Sequence, residues 1–354
     1  MELNCDIHIN SIELKHFRQF SSEVFFFNKR INVLQGGLYS GKTSVCDSIR
    51  FILSPICYLF GYQQKIEKLT DDDIYHRNGK KEEKVKIEAK IDLISTEYLL
   101  TRLKMRYEYD DEKRTYEKIE KVLYDIKNKI DESISLKQNN GIILPFMGYY
   151  KNRIEKQEDL ETKSEIDDDI LVPYKVYGTS LEKETKFKEF RQWFKNIYIQ
   201  VVFSELHGRK EFDFCKQYLK IINKIAIMTI KELKGITIDI LGWDYKVDRL
   251  FIKIGDKELS VTEVMGRGYE SLFYTVIDMA HRIIRMNSAE EIFLRETKGI
   301  VILDNFEKFN KDIFERYIKY ISGIFSKIQF IISGNVDTLG FCSDEIQYVN
   351  YHRP

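Results

Sequence analysis

Residues 36–43 read Gly36-Gly37-Leu38-Tyr39-Ser40-Gly41-Lys42-Thr43, a complete Gly-x-x-x-x-Gly-Lys-Ser/Thr phosphate-binding loop. Glycines at this spacing let backbone N–H groups close around phosphate oxygens, and a helix that follows aims its positive end at the same anion. Lys42 would contact the β- and γ-phosphates of a nucleotide, and the Thr43 hydroxyl would ligate Mg2+. Such a loop needs a carboxylate for the metal at the end of a neighbouring strand. Ile300-Val301-Ile302-Leu303-Asp304 supplies one: four apolar residues bury the strand, and Asp304 emerges at its carboxyl end, where open α/β sheets bind ligands. A third segment, Met265-Gly266-Arg267-Gly268-Tyr269, is a Gly-containing turn that enters an amphipathic run, and a helix N-terminus with close glycines also suits an anion.

These residues demand particular elements around them. Ile31-Asn32-Val33-Leu34 reads as the apolar strand before the loop, and residues 43–60 read as the helix after it. Residues 7–34 alternate like strands, through Ile12, Leu14, Phe17, Phe25 and Phe27, and residues 84–107 give two more, at 85–91 and 98–103. A short buried strand is expected at 142–147. From Leu181 the period turns helical, with Phe187, Phe190, Trp193, Phe194 and Ile197 on one stripe. A second long helix is expected from about 211 to Leu233, ended by Gly235. Strands are expected at 236–240 and 250–254, and a helix carries Leu272, Phe273, Val276, Ile277, Ala280 and Ile284 at core spacing. The strand ending in Asp304 follows, then a helix at about 311–325 and a last strand at 328–332. Two charged stretches, 108–140 and 154–170, read as solvated. Asn128-Lys129-Ile130-Asp131 fits a guanine-recognition pattern, but it lies in the first of these and not after a buried strand.

Composition narrows the class. The 354 residues carry 56 Lys plus Arg and 56 Asp plus Glu, so no global basic field draws in nucleic acid. Hydrophobic residues make up 43% and prolines number four, which argues for a packed chain. The five cysteines form no Cys-x-x-Cys pair, so neither a zinc site nor a disulfide framework is expected, and reduced thiols in the cytoplasm fit. There is no apolar run of about 18 residues, so no membrane span is expected, and Met1–Asp6 lacks the marks of a signal peptide.

The order of segments resembles the ATP-binding head of ABC-type ATPases of the SMC/RecF/OLD class, nearest to compact bacterial AAA-family ATP-binding proteins without a long coiled coil. The resemblance rests on IELKHFRQF (12–20), the phosphate loop, ILPFMGYYKNR (143–153), FKEFRQWFKN (187–196), VMGRGYESLFYTVIDMAHRI (264–283), GIVILDNFEKFN (299–310) and KIQFIISGNVD (327–337), and it covers nearly the whole chain. It implies an α/β fold: a two-lobed P-loop NTPase head with a mixed or parallel core sheet, an antiparallel N-terminal lobe and a helical insertion. It also implies one domain over 1–354, with an N-lobe (1–153), an acidic loop and helical insertion (154–235) and a C-lobe (236–354). ATP and Mg2+ are the implied cofactors. Gly36, Gly37, Ser40, Gly41, Lys42, Thr43 and Ser44 would hold the nucleotide, Thr43 and Asp304 the metal, and Gly266, Arg267 and Gly268 the nucleotide of a second subunit.

Three positions depart from that family. Gly266 stands where the signature has Ser. Asn305 stands where the family has the Glu that polarises water, and Asn335 where its switch segment has His. Glu307 is the nearest carboxylate that could replace the base. General-base help is worth about 10²–10⁴ in rate, so binding is expected to survive while hydrolysis slows. The implied function is an ATP-gated dimer or higher oligomer that controls a separate effector, as in anti-phage defence. The alternative is an active DNA-binding ATPase of repair or recombination, using the Lys and Arg of 187–234. A P-loop kinase is a third reading, disfavoured by the late Asp304 strand about 260 residues beyond the loop.

Overall fold

The computed structural model describes residues 3–4, 6–37, 39–61, 67–77, 80–93, 96–105, 124, 128, 142–151, 173–182, 186–208, 213–306, 309–334 and 346–350. In chain order the strands are β1 (Leu3–Asn4), β2 (Ile7–Phe17), β3 (Phe20–Phe26), β4 (Ile31–Gln35), β5 (His76–Arg77), β6 (Lys80–Lys81), β7 (Lys84–Leu93) and β8 (Thr96–Met105). They continue with β9 (Ile142–Ile143), β10 (Phe146–Lys151), β11 (Ile240–Asp244), β12 (Arg249–Ile254), β13 (Lys257–Ser260), β14 (Gly299–Asp304), β15 (Ile328–Ser333) and β16 (Ile346–Asn350). The helices are α1 (Lys42–Gly61), α2 (Lys186–His207), α3 (Asp213–Lys234), α4 (Val261–Met265), α5 (Arg267–Asn287), α6 (Ile292–Glu296) and α7 (Lys311–Ile324), with a 3-10 turn at Pro173–Gly178.

Continuous apolar runs mark strands covered on both faces. In β14 and β15 every residue is buried. They sit inside a parallel five-stranded sheet of order β10-β14-β15-β4-β16. β7 instead alternates buried with more open positions and lies in an antiparallel sheet of order β3-β2-β7-β8. A second antiparallel sheet, β11-β12-β13, precedes α4. The parallel core, the antiparallel lobe and the helical insertion expected from sequence are therefore present. Gln329 of β15 joins the two larger sheets. Its buried amide donates to the Ile9 carbonyl (2.8 Å) and accepts from the Ile9 N–H (2.9 Å).

Two strand expectations are corrected. The strand placed at 142–147 is divided: 142–143 pairs with β1, and 146–151 enters the core sheet. Pro145 has no N–H to give, and the Leu144 N–H is taken by the Asn287 side chain at 2.7 Å. The strand placed at 236–240 lies at 240–244. Ladder pairing starts at Ile240 opposite Lys253; the Asp239 N–H already donates to the Lys253 carbonyl (2.9 Å), and its carboxylate accepts from the Gly255 N–H (2.7 Å). The charged stretches 108–140 and 154–170 fall outside the described residues, except positions 124 and 128. The aromatic stripe of α2 packs inward: Phe190, Trp193, Phe194 and Ile197 are buried. Cys46, Cys57 and Cys215 are buried thiols outside any disulfide. Among the described residues no helix is long and apolar enough to cross a membrane.

The insertion is tied to the core by a buried ionic network. Arg282 of α5 donates to Asp278 (2.8 Å), to Glu189 of α2 (2.8 Å) and to the Val176 carbonyl (2.8 Å), and Tyr150 of β10 donates to Asp278 (2.7 Å). Burial pushes both carboxyls up, but Arg282 outweighs it and holds Asp278 and Glu189 below their ordinary range. Removing one partner of a buried pair leaves uncompensated charge, so Arg282→Met should cost about 3–5 kcal/mol in urea unfolding. A loss under about 1 kcal/mol would refute the role given to this arginine. Depressed carboxylates stabilise above their unfolded values of about 4 and lose that contribution as pH falls through the folded ones. The gap between wild type and Arg282→Met should therefore narrow in acid.

Candidate functional site

The strand order places chemistry in a row. β10 ends in Lys151, β14 in Asp304 and β15 in Ser333, and β4 runs into the phosphate loop. All four strands are parallel, so these residues share the carboxyl edge of the sheet.

The loop is shaped by its own glycines and by a neighbouring turn. Gly41 adopts φ +98°, and a Cβ there would meet the Gln19 amide at 1.8 Å and the Phe20 ring at 2.6 Å. Only glycine lets the β2–β3 turn close over the loop. The Ser44 hydroxyl donates to Gln19 Oε1 at 3.0 Å. Arg18 secures the same turn, pairing with Asp47 of α1 (2.7 Å) and with Asp73 (2.9 Å). The Lys42 ammonium lies across the loop and donates to the carbonyls of Gly36 (2.6 Å) and Gly37 (2.9 Å). Ser40 Oγ is buried with no hydrogen-bond partner among the described residues.

Asp304 is fully buried and gathers donors from four elements. Its Oδ1 accepts from Thr43 Oγ1 (3.0 Å), Ser333 Oγ (2.8 Å) and the Asn305 N–H (3.0 Å). Its Oδ2 accepts from the Tyr149 hydroxyl (2.9 Å) and faces the Lys151 ammonium at 3.9 Å. Burial, and then the Asp304 charge, push the Tyr149 phenol well above its ordinary range, so it stays a donor. Thr43 and Asp304 were paired from sequence, and they meet in space. A hydroxyl and a carboxylate are hard oxygen donors of the kind Mg2+ takes. The loop, with a buried Ser40 hydroxyl that has no partner among the described residues, suits phosphate oxygens.

Asn305 adopts φ +65°. Its N–H is also within 2.8 Å of Ser333 Oγ, so its backbone belongs to the Asp304 cluster. Glu307 and Asn335 lie outside the described residues. Gly266, Arg267 and Gly268 are exposed. Gly266 has φ +73° and closes α4 while opening α5, with its N–H on the Thr262 carbonyl at 2.8 Å. None of the contacts that assemble the loop site includes these three.

Gln19, Tyr149 and Lys151 carry contacts here that sequence reasoning gave no role. Each lay in a quoted segment, but nothing local to those segments points to a partner more than twenty residues away.

No curated protein sequence matches the chain. Solved structures do, at low identity. An Smc head domain with an extended coiled coil bound to the C-terminal domain of ScpA, derived from Pyrococcus furiosus, is 14% identical over 94% of this chain and 90% of that one, with a TM-score of 0.50. The SMC head domain from Thermotoga maritima (13% identity, 97% and 95% covered, TM-score 0.42) and the recombination mediator protein RecF with ATP (10%, 98% and 98%, 0.44) also match. The first of these shows the fold, that of an Smc head domain. The family model described as an AAA domain matches residues 11–234, more than half of the chain. The chain belongs to the AAA domain family.

Proposed function

We propose that this head binds ATP with Mg2+ and uses the bound nucleotide to hold a closed assembly that gates a partner. The observation that carries the reading is the 3.0 Å hydrogen bond between Thr43 and Asp304, which joins the loop to the acid of a distant strand. The whole chain would act as one unit. Lys42 and the loop N–H groups bind the phosphates, Thr43 and Asp304 hold the metal, and Ser44 fixes the covering turn through Gln19. Mg2+ when bound neutralises charge on the β- and γ-phosphate oxygens. Gly266, Arg267 and Gly268, exposed at the start of α5, would meet the nucleotide of a second copy through backbone N–H groups.

Slow turnover follows from Asn305, an amide that accepts no proton. A nucleotide that stays whole keeps the closed state populated, which is a shift driven by differential affinity for that state. The partner would be a separate effector, and anti-phage defence is a setting such a device fits. The DNA-processing alternative has less support: Phe190, Trp193 and Phe194 of α2 are core residues and offer bases no stacking face.

Light scattering with and without ATPγS tests the assembly. The mass should rise with nucleotide in wild type and stay monomeric in Gly268→Asp, whose added carboxylate would repel phosphate. A mass indifferent to nucleotide sinks the gating reading. Lys42→Ala removes a charge-assisted contact worth about 2–3 kcal/mol, so ATPγS should bind at least about 30-fold more weakly by calorimetry. Equal affinity would remove the loop from the site. Asn305→Glu should raise single-turnover hydrolysis, by less than the full 10²–10⁴, because a left-handed backbone costs a non-glycine residue about 1–3 kcal/mol and Asn tolerates it best. An unchanged rate would mean that residue 305 does not face the attacking water.

A further inference from the structure

Lys151 has no task in the reading above, yet it lies beside Asp304. It is the last residue of β10 and stands in register with Asp304, the last residue of β14. Residues two apart on a strand share a face. Tyr149 and Lys151 therefore both address Oδ2 of Asp304, at 2.9 and 3.9 Å. Tyr149 is buried and meets the hydrogen-bonding need of that oxygen. Lys151 is 30% exposed at the rim, and its ammonium is beyond hydrogen-bond range of the carboxylate. Its contribution to Asp304 is thus charge alone.

That charge lies where it conflicts with a metal. The Thr43 hydroxyl on Oδ1 and the Lys151 ammonium on Oδ2 address the two oxygens of one carboxylate. A divalent ion seated on Thr43 and Asp304 would bring two cations within a few ångströms, where repulsion is several-fold stronger than in water. The lysine stem is flexible and its head offers three donors. The acceptors that a metal–nucleotide brings to this edge are phosphate oxygens.

We propose that Lys151 is a second phosphate-binding lysine: it guards Asp304 until a metal–nucleotide is seated, then turns to the terminal phosphate and so favours a triphosphate over a diphosphate. This inference rests on the reading of the site as one for Mg2+ and nucleotide. It assigns the two lysines separate tasks. Lys42 closes the loop around any nucleotide, and Lys151, from the opposite side of Asp304, reads the outermost phosphate.

Lys151→Met keeps the length of the stem and removes the charge, and Lys151→Gln is a second neutral variant. Calorimetry with ATPγS and with ADP, each with Mg2+, gives the preference for triphosphate. Titration of Mn2+ alone, followed by electron paramagnetic resonance, gives the metal affinity. The expected result is a preference reduced about tenfold, the effect of one charge-assisted hydrogen bond, together with tighter Mn2+ binding. Loss of packing at the rim would not tighten a metal. Variants with an unchanged preference, or with unchanged Mn2+ affinity, overturn the inference and leave the nucleotide reading standing. Wild-type protein that binds neither nucleotide overturns both.

Discussion

One buried carboxylate constrains the rest of the molecule. Asp304 has no solvent exposure, and an ion in that position is tolerable only with hydrogen bonds to its oxygens. Four donors lie at 2.8–3.0 Å, from α1, β10, β15 and the peptide after β14. No single segment of chain could deliver them. The order β10-β14-β15-β4 delivers all four, since it puts Tyr149 on one side of Asp304 and Ser333 on the other, with the phosphate loop one strand further on. Thr43 must then reach past β15, which it does from the first turn of α1. The loop, the sheet order and the acid are in this sense one feature. A different strand order would leave the charge unsatisfied.

The same cluster explains the residue that follows. The Asn305 N–H is committed to Asp304 and Ser333, and its backbone is left-handed. Asn is among the few residues with a side chain that enter this region readily. The amide at this position therefore suits the local backbone.

Much of this was legible in the sequence, for identifiable reasons. Loop glycines, the apolar run before Asp304 and the 3.6 period of α2, α3 and α5 are local signals, and local signals survive in one dimension. The Thr43–Asp304 meeting could be expected because the phosphate-loop pattern assigns both residues a task toward one ligand. Gln19, Tyr149 and Lys151 have no such local mark: a tyrosine on an apolar strand reads as core until its partner on another strand is known. Leu144 looks like a strand residue but is diverted by a bond to a distant group, the Asn287 side chain. Propensity gives way to such contacts because they depend on the tertiary fold.

The two tyrosines of β10 carry the last consequence. Side chains alternate along a strand, so Tyr149 and Tyr150 point to opposite faces of the sheet. One donates to Asp304 and the other to Asp278 of α5. Asp278 is in turn fixed by Arg282, which also holds Glu189 of the insertion. α5 is a single helix from Arg267 onward, and the exposed Gly266-Arg267-Gly268 turn is its beginning. The carboxylate at the loop and the helix that begins at this turn are thus joined through one strand, by hydrogen bonds of 2.7–2.9 Å at buried groups. Buried polar contacts of this kind are costly to break singly.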